Sequence, residues 1–134
     1  MTTTATQALR ILVVDDEPSV REVLKSLLEV DGYSVWTAAS GTEALAMLES
    51  VQFDLILTDY CMPGMKGDQL AAAIKALRPE QPIGMITAYP AMYESSNTGL
   101  DCVDFLITKP VMLENLRAAI RNAHAQPPRR ASDN

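Results

Sequence analysis

Four short apolar runs punctuate the chain, and each ends in a polar residue. Ile11 to Val14 leads into Asp15 and Asp16, and Leu55 to Thr58 into Asp59. Ile83 to Ile86 leads into Thr87, and Phe105 to Thr108 into Lys109. Apolar runs without alternation fit strands buried on both faces, as in a parallel sheet covered by helices. Ligand sites on such sheets lie outside the carboxyl ends of the strands. The pattern therefore brings two acidic strand ends, a hydroxyl and an amine to one edge.

Helical patterns fill the gaps between these runs. After Pro18, the residues Val20, Val23, Leu24, Leu27 and Leu28 recur at helical spacing, and Gly32 follows as a stop. Tyr33 to Ala38 reads as a further strand. Ser40-Gly41-Thr42-Glu43 reads as a capping box opening a helix through Leu48. Asp68 to Leu77 forms a third helix, ended by Pro79, and Leu113, Leu116, Ala119 and Ile120 mark the last one. Between Pro90 and Gly99 the residues are poor helix formers, so the crossover there is expected to be short or frayed. The sum is five strands and about five helices in an α/β doubly wound fold.

The 134 residues suit one domain with a real core. Residues 1–8 read as a disordered head, 9–124 as the domain and 125–134 as a disordered tail or linker. A net charge of −6 argues against direct nucleic-acid or membrane-surface binding. Arg129 and Arg130 do not change this, since two tail charges are ordinarily just solvated. The start of the chain lacks the features of a signal peptide, and no run has the length of a membrane helix. A cytoplasmic location is expected. The two cysteines, Cys61 and Cys102, make no disulfide framework and read as reduced thiols.

The charges at the predicted edge define its chemistry. Asp15, Asp16 and Asp59 so close together would force one carboxyl to keep its proton unless a cation intervened. Hard oxygen donors suit Mg²⁺, which takes one or two carboxylates plus phosphate oxygens. Three carboxylates, one ammonium from Lys109 and one divalent ion sum to zero. Asp59 alone closes its strand and is the natural nucleophile, since a carboxylate can form an acyl phosphate. Lys109 and the cation would neutralise charge on the transferring group, and Thr87 would offer a hydroxyl.

These residues carry a family resemblance. Val13-Val14-Asp15-Asp16-Glu17 resembles the start of a response-regulator receiver domain. Asp59-Tyr60-Cys61-Met62-Pro63-Gly64-Met65-Lys66-Gly67 is similar to the family's segment around its phosphoacceptor. Thr87-Ala88 and Lys109-Pro110 follow in order. The resemblance implies a flavodoxin-like sheet of order 2-1-3-4-5. It implies that Asp59 accepts phosphate from a partner phosphohistidine, on a sensor histidine kinase or a histidine phosphotransfer protein. It further implies that Asp16, Asp59 and the backbone carbonyl of Cys61 ligate Mg²⁺, with Asp15 acting mainly through a metal-bound water. Lys109 would pair with the phosphate, Thr87 would turn inward to bond it, and the Lys109–Pro110 bond would be cis.

Other readings of single residues are blander. Met62 and Met65 read as loop packing, and Gly67 as serving backbone geometry. His124, the single histidine, falls near the end of the last helix and reads as solvated. The phosphohistidine is therefore expected on another protein.

The sequence also departs from the family. Receivers usually carry Tyr or Phe three residues before the lysine, where this chain has Leu106. Phe105 is one residue earlier, and adjacent strand residues point to opposite faces. Phe105 takes over the switch role only if a bulge shifts the register. Cys102-Val103 stands where Gly-Ala is common. Phosphorylation is expected to persist with an altered readout, and Tyr89 is a candidate to line the pocket. A second function class is an aspartyl-phosphate phosphohydrolase, but it needs an Asp where Cys61 stands. A third is a receiver-like interaction module with no phospho-switch, which the complete acidic pocket opposes. The chain ends shortly after the last predicted helix, leaving no room within it for a DNA-binding domain. It reads as a stand-alone regulator or a domain cut from a hybrid kinase or longer regulator.

Overall fold

The computed structural model describes residues 9–88 and 102–125. Tyr89, the Pro90 to Gly99 segment, residues 1–8 and 126–134 and the side chain of His124 lie outside the described residues. In chain order the elements are β1 (Arg10–Val14), α1 (Pro18–Val30), β2 (Ser34–Ala38) and α2 (Gly41–Met47). There follow β3 (Leu55–Asp59), α3 (Gly67–Leu77), β4 (Ile83–Thr87), β5 (Phe105–Thr108) and α4 (Leu113–Ala125). The five strands form one parallel sheet in the order β2-β1-β3-β4-β5, the flavodoxin-like arrangement. The order reverses between β1 and β3, which sets a crevice at their carboxyl ends.

The continuous apolar runs are explained by two cores, one on each face. Leu12, Val14, Ile56 and Ile83 pack with Ala44 and Leu48 of the α2 segment and with Leu70, Ala71 and Ile74 of α3. Ile11, Val13, Leu55, Leu57, Ile86 and Ile107 pack with Leu24 and Leu28 of α1 and Leu116 and Ile120 of α4. Successive residues of β1 thus serve opposite cores, and all four from Ile11 to Val14 are buried. Alternation in facing leaves no alternation in polarity when both faces are covered.

Helix ends follow local chemistry. Gly32, at φ 95°, takes the left-handed position after α1. Its amide donates to Glu29 at 2.9 Å and the Tyr33 amide to Leu28 at 3.2 Å, a Schellman closure. Ser40 Oγ accepts from the Glu43 amide at 3.1 Å, as the capping pattern predicts. The return bond differs from the expected box. Glu43 Oε1 accepts from the Ala39 amide at 2.8 Å, one residue before the cap. No described helix is long and apolar enough to cross a membrane.

Candidate functional site

The carboxyl edge of the sheet collects the polar run-ends. Asp15 follows β1, Asp59 and Thr87 close β3 and β4, and Lys109 follows β5. Backbone bonds extend the sheet past its strands and fix these positions. The Asp15 amide donates to Ala38 at 3.1 Å, the Tyr60 amide to Ile86 at 3.0 Å and the Lys109 amide to Thr87 at 2.9 Å. The Lys109–Pro110 peptide is cis.

Three carboxylates meet at this edge. One oxygen from each of Asp15, Asp16 and Asp59 lies within 4.8 Å of the others. Asp15 and Asp59 are buried, and Asp16 is the most open of the three. Lys109 Nζ donates to Asp59 Oδ1 at 2.7 Å. Asp15 Oδ1 accepts from the Glu17 amide at 2.9 Å, while its Oδ2 is buried with no hydrogen-bond partner among the described residues. Leaving such an atom unpaired costs about 1–3 kcal/mol.

The electrostatics follow from this crowding. Burial raises the Asp59 pKa against the bond and charge of Lys109, and Asp16 pushes the same way as burial. Burial also raises the Asp15 pKa, opposed by the Glu17 amide and helped by Asp59. Burial works against the Lys109 ammonium, but the bond and charge of Asp59 outweigh it and leave that pKa raised. Three carboxylates and one ammonium leave a charge of −2 when all are ionised. The hard-oxygen donor set and the orphaned Asp15 Oδ2 fit a small divalent cation.

Gly67 brings α3 close to this edge. A Cβ there would lie 2.5 Å from the Asp59 carbonyl oxygen, so only glycine allows the approach. The contact supports a backbone role for Gly67.

The sequence profile of the response regulator receiver domain matches residues 11–121. The chain belongs to this family. It is similar to the transcriptional regulatory protein GlrR of Escherichia coli, 36% identical over 116 residues, covering 87% of this chain and 26% of GlrR. It is 39% identical over 114 residues to the response regulator MprA of Mycobacterium avium, covering 84% of this chain and 50% of MprA. The chain thus spans a quarter to a half of these curated relatives. Among solved structures, it resembles the response regulator TrrA of Thermotoga maritima in complex with Mg²⁺-BeF. There the TM-score is 0.79 at 35% identity, over 86% of this chain and 98% of that one. Vibrio cholerae CheY4 gives 0.79 at 30% identity, over 87% of this chain and 99% of that one.

The receiver fold separates the two switch candidates. β4 and β5 pair Gly84 with Phe105 and Met85 with Leu106 in an unbroken register. Phe105 packs with the α1 and α4 core. A Cβ on Gly84 would come 2.3 Å from the Phe105 ring, so that ring lies directly over the glycine. Leu106 is the next strand residue and belongs to the opposite face. No bulge carries Phe105 across. Cys61 is a free, exposed thiol, and its sulfur is not part of the acidic cluster.

One contact at this edge escaped the sequence reading. Arg21 Nη1 donates to the Asp15 carbonyl at 2.7 Å. Its signal was available, because a cation one turn into a helix opposes the helix dipole and needs a specific acceptor.

Proposed function

We propose that this receiver accepts a phosphoryl group on Asp59 from a partner phosphohistidine and passes the change on through partner binding. One observation carries the reading. A buried carboxylate at the end of β3 is held by Lys109 at 2.7 Å, with two further carboxylates close by. An Asp59 carboxylate oxygen forms the new bond to phosphorus as the nitrogen–phosphorus bond of the donor breaks. The electron pair leaves with the imidazole, which takes up a proton.

Lys109 holds Asp59 in line and offers its charge to the incoming oxygens. Thr87 closes the neighbouring strand β4, and its hydroxyl would donate to a phosphoryl oxygen. Asp16, Asp59 and the Cys61 backbone carbonyl would hold Mg²⁺, with Asp15 reaching it through water. When bound, Mg²⁺ supplies charge neutralisation to the phosphoryl oxygens. The Mg²⁺-BeF complex of the TrrA relative supports this assignment. Receivers are phosphoacceptor signalling domains, and Cys61 stands where a phosphohydrolase would need its second Asp.

The partner would be a sensor histidine kinase or a histidine phosphotransfer protein, in the cytoplasm. Residues 9–124 would form the working domain. A longer regulator is the second reading of its context, since the chain covers 26% of GlrR and 50% of MprA. Incubation with acetyl phosphate and Mg²⁺, read by intact mass, tests the central claim. The expected result is one added phosphoryl group, absent in Asp59→Asn. A mass shift that persists in Asp59→Asn overturns the assignment.

A further inference from the structure

We propose that Arg21 is a positioning residue of the acidic pocket, setting the direction of Asp16 through the backbone of Asp15. The inference rests on the reading of that pocket as a Mg²⁺ site. Arg21 Nη1 donates to the Asp15 carbonyl oxygen at 2.7 Å. That carbonyl and the Asp16 amide belong to one planar peptide unit. A bond at one end of the plane fixes its other end, from which the Asp16 side chain departs.

Asp15 has further anchors. Its amide donates to Ala38 at 3.1 Å, and its Oδ1 accepts from the Glu17 amide at 2.9 Å. The Asp16 carboxylate has no hydrogen bond or ion pair among the described residues. Its direction is therefore set by its backbone, and Arg21 grips that backbone. The start of α1 offers little alternative support. Its N-cap, Glu17, makes no side-chain cap bond, and Pro18 follows directly. Arg21 is half-buried near the positive end of the helix dipole, where a cation is disfavoured. The Asp15 carbonyl, at the point where the β1–β2 ladder stops, is the acceptor that offsets this cost.

The molecule contains its own control. Arg78 donates to the carbonyls of Val51, at 3.2 Å, and Leu48. These residues precede β3, at the sheet edge away from the pocket. Arg78 is a backbone-gripping arginine with no route to Asp16.

Isothermal titration of Mg²⁺ into the whole chain tests the proposal, using wild type, Arg21→Met, Arg21→Lys and Arg78→Met, each checked by thermal melting. Arg21→Met is expected to weaken Mg²⁺ binding about tenfold, the usual effect of losing a group that orients a ligand. Arg21→Lys keeps a donor and is expected to stay within about threefold of wild type. Arg78→Met is expected to melt earlier with unchanged Mg²⁺ affinity. In the acetyl phosphate reaction, Arg21→Met should need more Mg²⁺ for half-maximal rate while keeping its plateau. If Arg21→Met melts below the assay temperature, Arg21→Leu, which also lacks a donor, replaces it with the same expectation. Unchanged affinity in the folded Arg21→Met or Arg21→Leu overturns the proposal, as does an equal loss in Arg21→Lys. Failure of the wild type to bind Mg²⁺ overturns the pocket reading itself, and this proposal with it.

Discussion

The carboxyl ends of β1 and β3 and the pair β4–β5 obey different rules. At β1 and β3, the acidic residues depend on strand ends meeting in register, and the register is locked by cores on both faces. At β5, the outcome depends on which face a single aromatic occupies. Phe105 lies over Gly84 with the α1 and α4 core, while Leu106 takes the other face. A shift of one residue in sequence leaves the first arrangement whole and inverts the second. The acidic strand ends and the placement of the aromatic are thus separable in one sheet.

The largest stability effect expected from breaking this division is at Gly84. Gly84→Ala puts a Cβ 2.3 Å from the Phe105 ring and 2.9 Å from Leu57 Cδ2. Overpacking of this kind costs about 1–3 kcal/mol, read by urea denaturation. Phe105→Leu in the same chain should recover part of the loss, giving a coupling energy of about 0.5–3 kcal/mol. Phosphoryl uptake by the folded fraction should persist. Additive losses would show that the ring does not depend on the glycine beneath it.

The second prediction concerns the acidic half. Asp15 and Asp59 have raised pKa values, chiefly through burial. A carboxyl raised on folding binds its proton more tightly in the folded state. The domain without Mg²⁺ should therefore lose stability as pH rises through the interval between the unfolded and the raised folded values. Mg²⁺ competes with those protons, so the rise in Tm at fixed excess Mg²⁺ should grow with pH across the carboxylate range and vanish below it. Asp15→Asn should melt higher than wild type without Mg²⁺ and gain less when it is added. A Tm gain independent of pH would remove these carboxylates from the metal site.

The third prediction addresses the reporting half. Leu106 is half-buried, so Leu106→Tyr should fold with a cost of no more than about 1 kcal/mol. It restores an aromatic to the face opposite Phe105. Free and beryllofluoride-bound structures of both forms should differ in this side chain only in the Leu106→Tyr chain. Rotation of Leu106 or Phe105 in the wild type on beryllofluoride binding would show that the native residues still report.

What the sequence revealed, and what it hid, follows the same physics. Strands buried on both faces leave uninterrupted apolar runs, so the sheet and its polar ends were legible. Gly32 was readable as a stop because the Schellman turn needs the left-handed backbone it takes, φ 95°. Contacts that depend on tertiary approach were not readable. The Phe105–Gly84 contact requires the β4–β5 register, and for Arg21 the sequence marks a cation near a helix start but not its partner, a backbone acceptor that no motif encodes. The start of α3 at Gly67, one residue before Asp68, rests on the Gln69 side chain accepting from the Lys66 amide at 2.8 Å. Lysine is no side-chain acceptor, so that half of a box left no capping signature.

The smallest effect lies where the two halves are tied together. Arg117 of α4 donates to both oxygens of Asp31, the C-cap of α1, at 2.8 Å each. A forked pair fixes geometry better than a single contact, yet Arg117 is exposed, and solvent weakens the attraction. The bond to Arg117 lowers the Asp31 pKa, so its stabilisation is present above the ordinary carboxylate range and is lost as pH falls through the lowered value. Arg117→Met should lower Tm slightly at neutral pH and match wild type in acid. The acidic pocket lies at the other end of α1, so Mg²⁺ affinity should not change. A loss of Mg²⁺ affinity in Arg117→Met would mean that α1 carries strain from the β5–α4 side to the acidic strand ends, and the two halves would no longer count as separable.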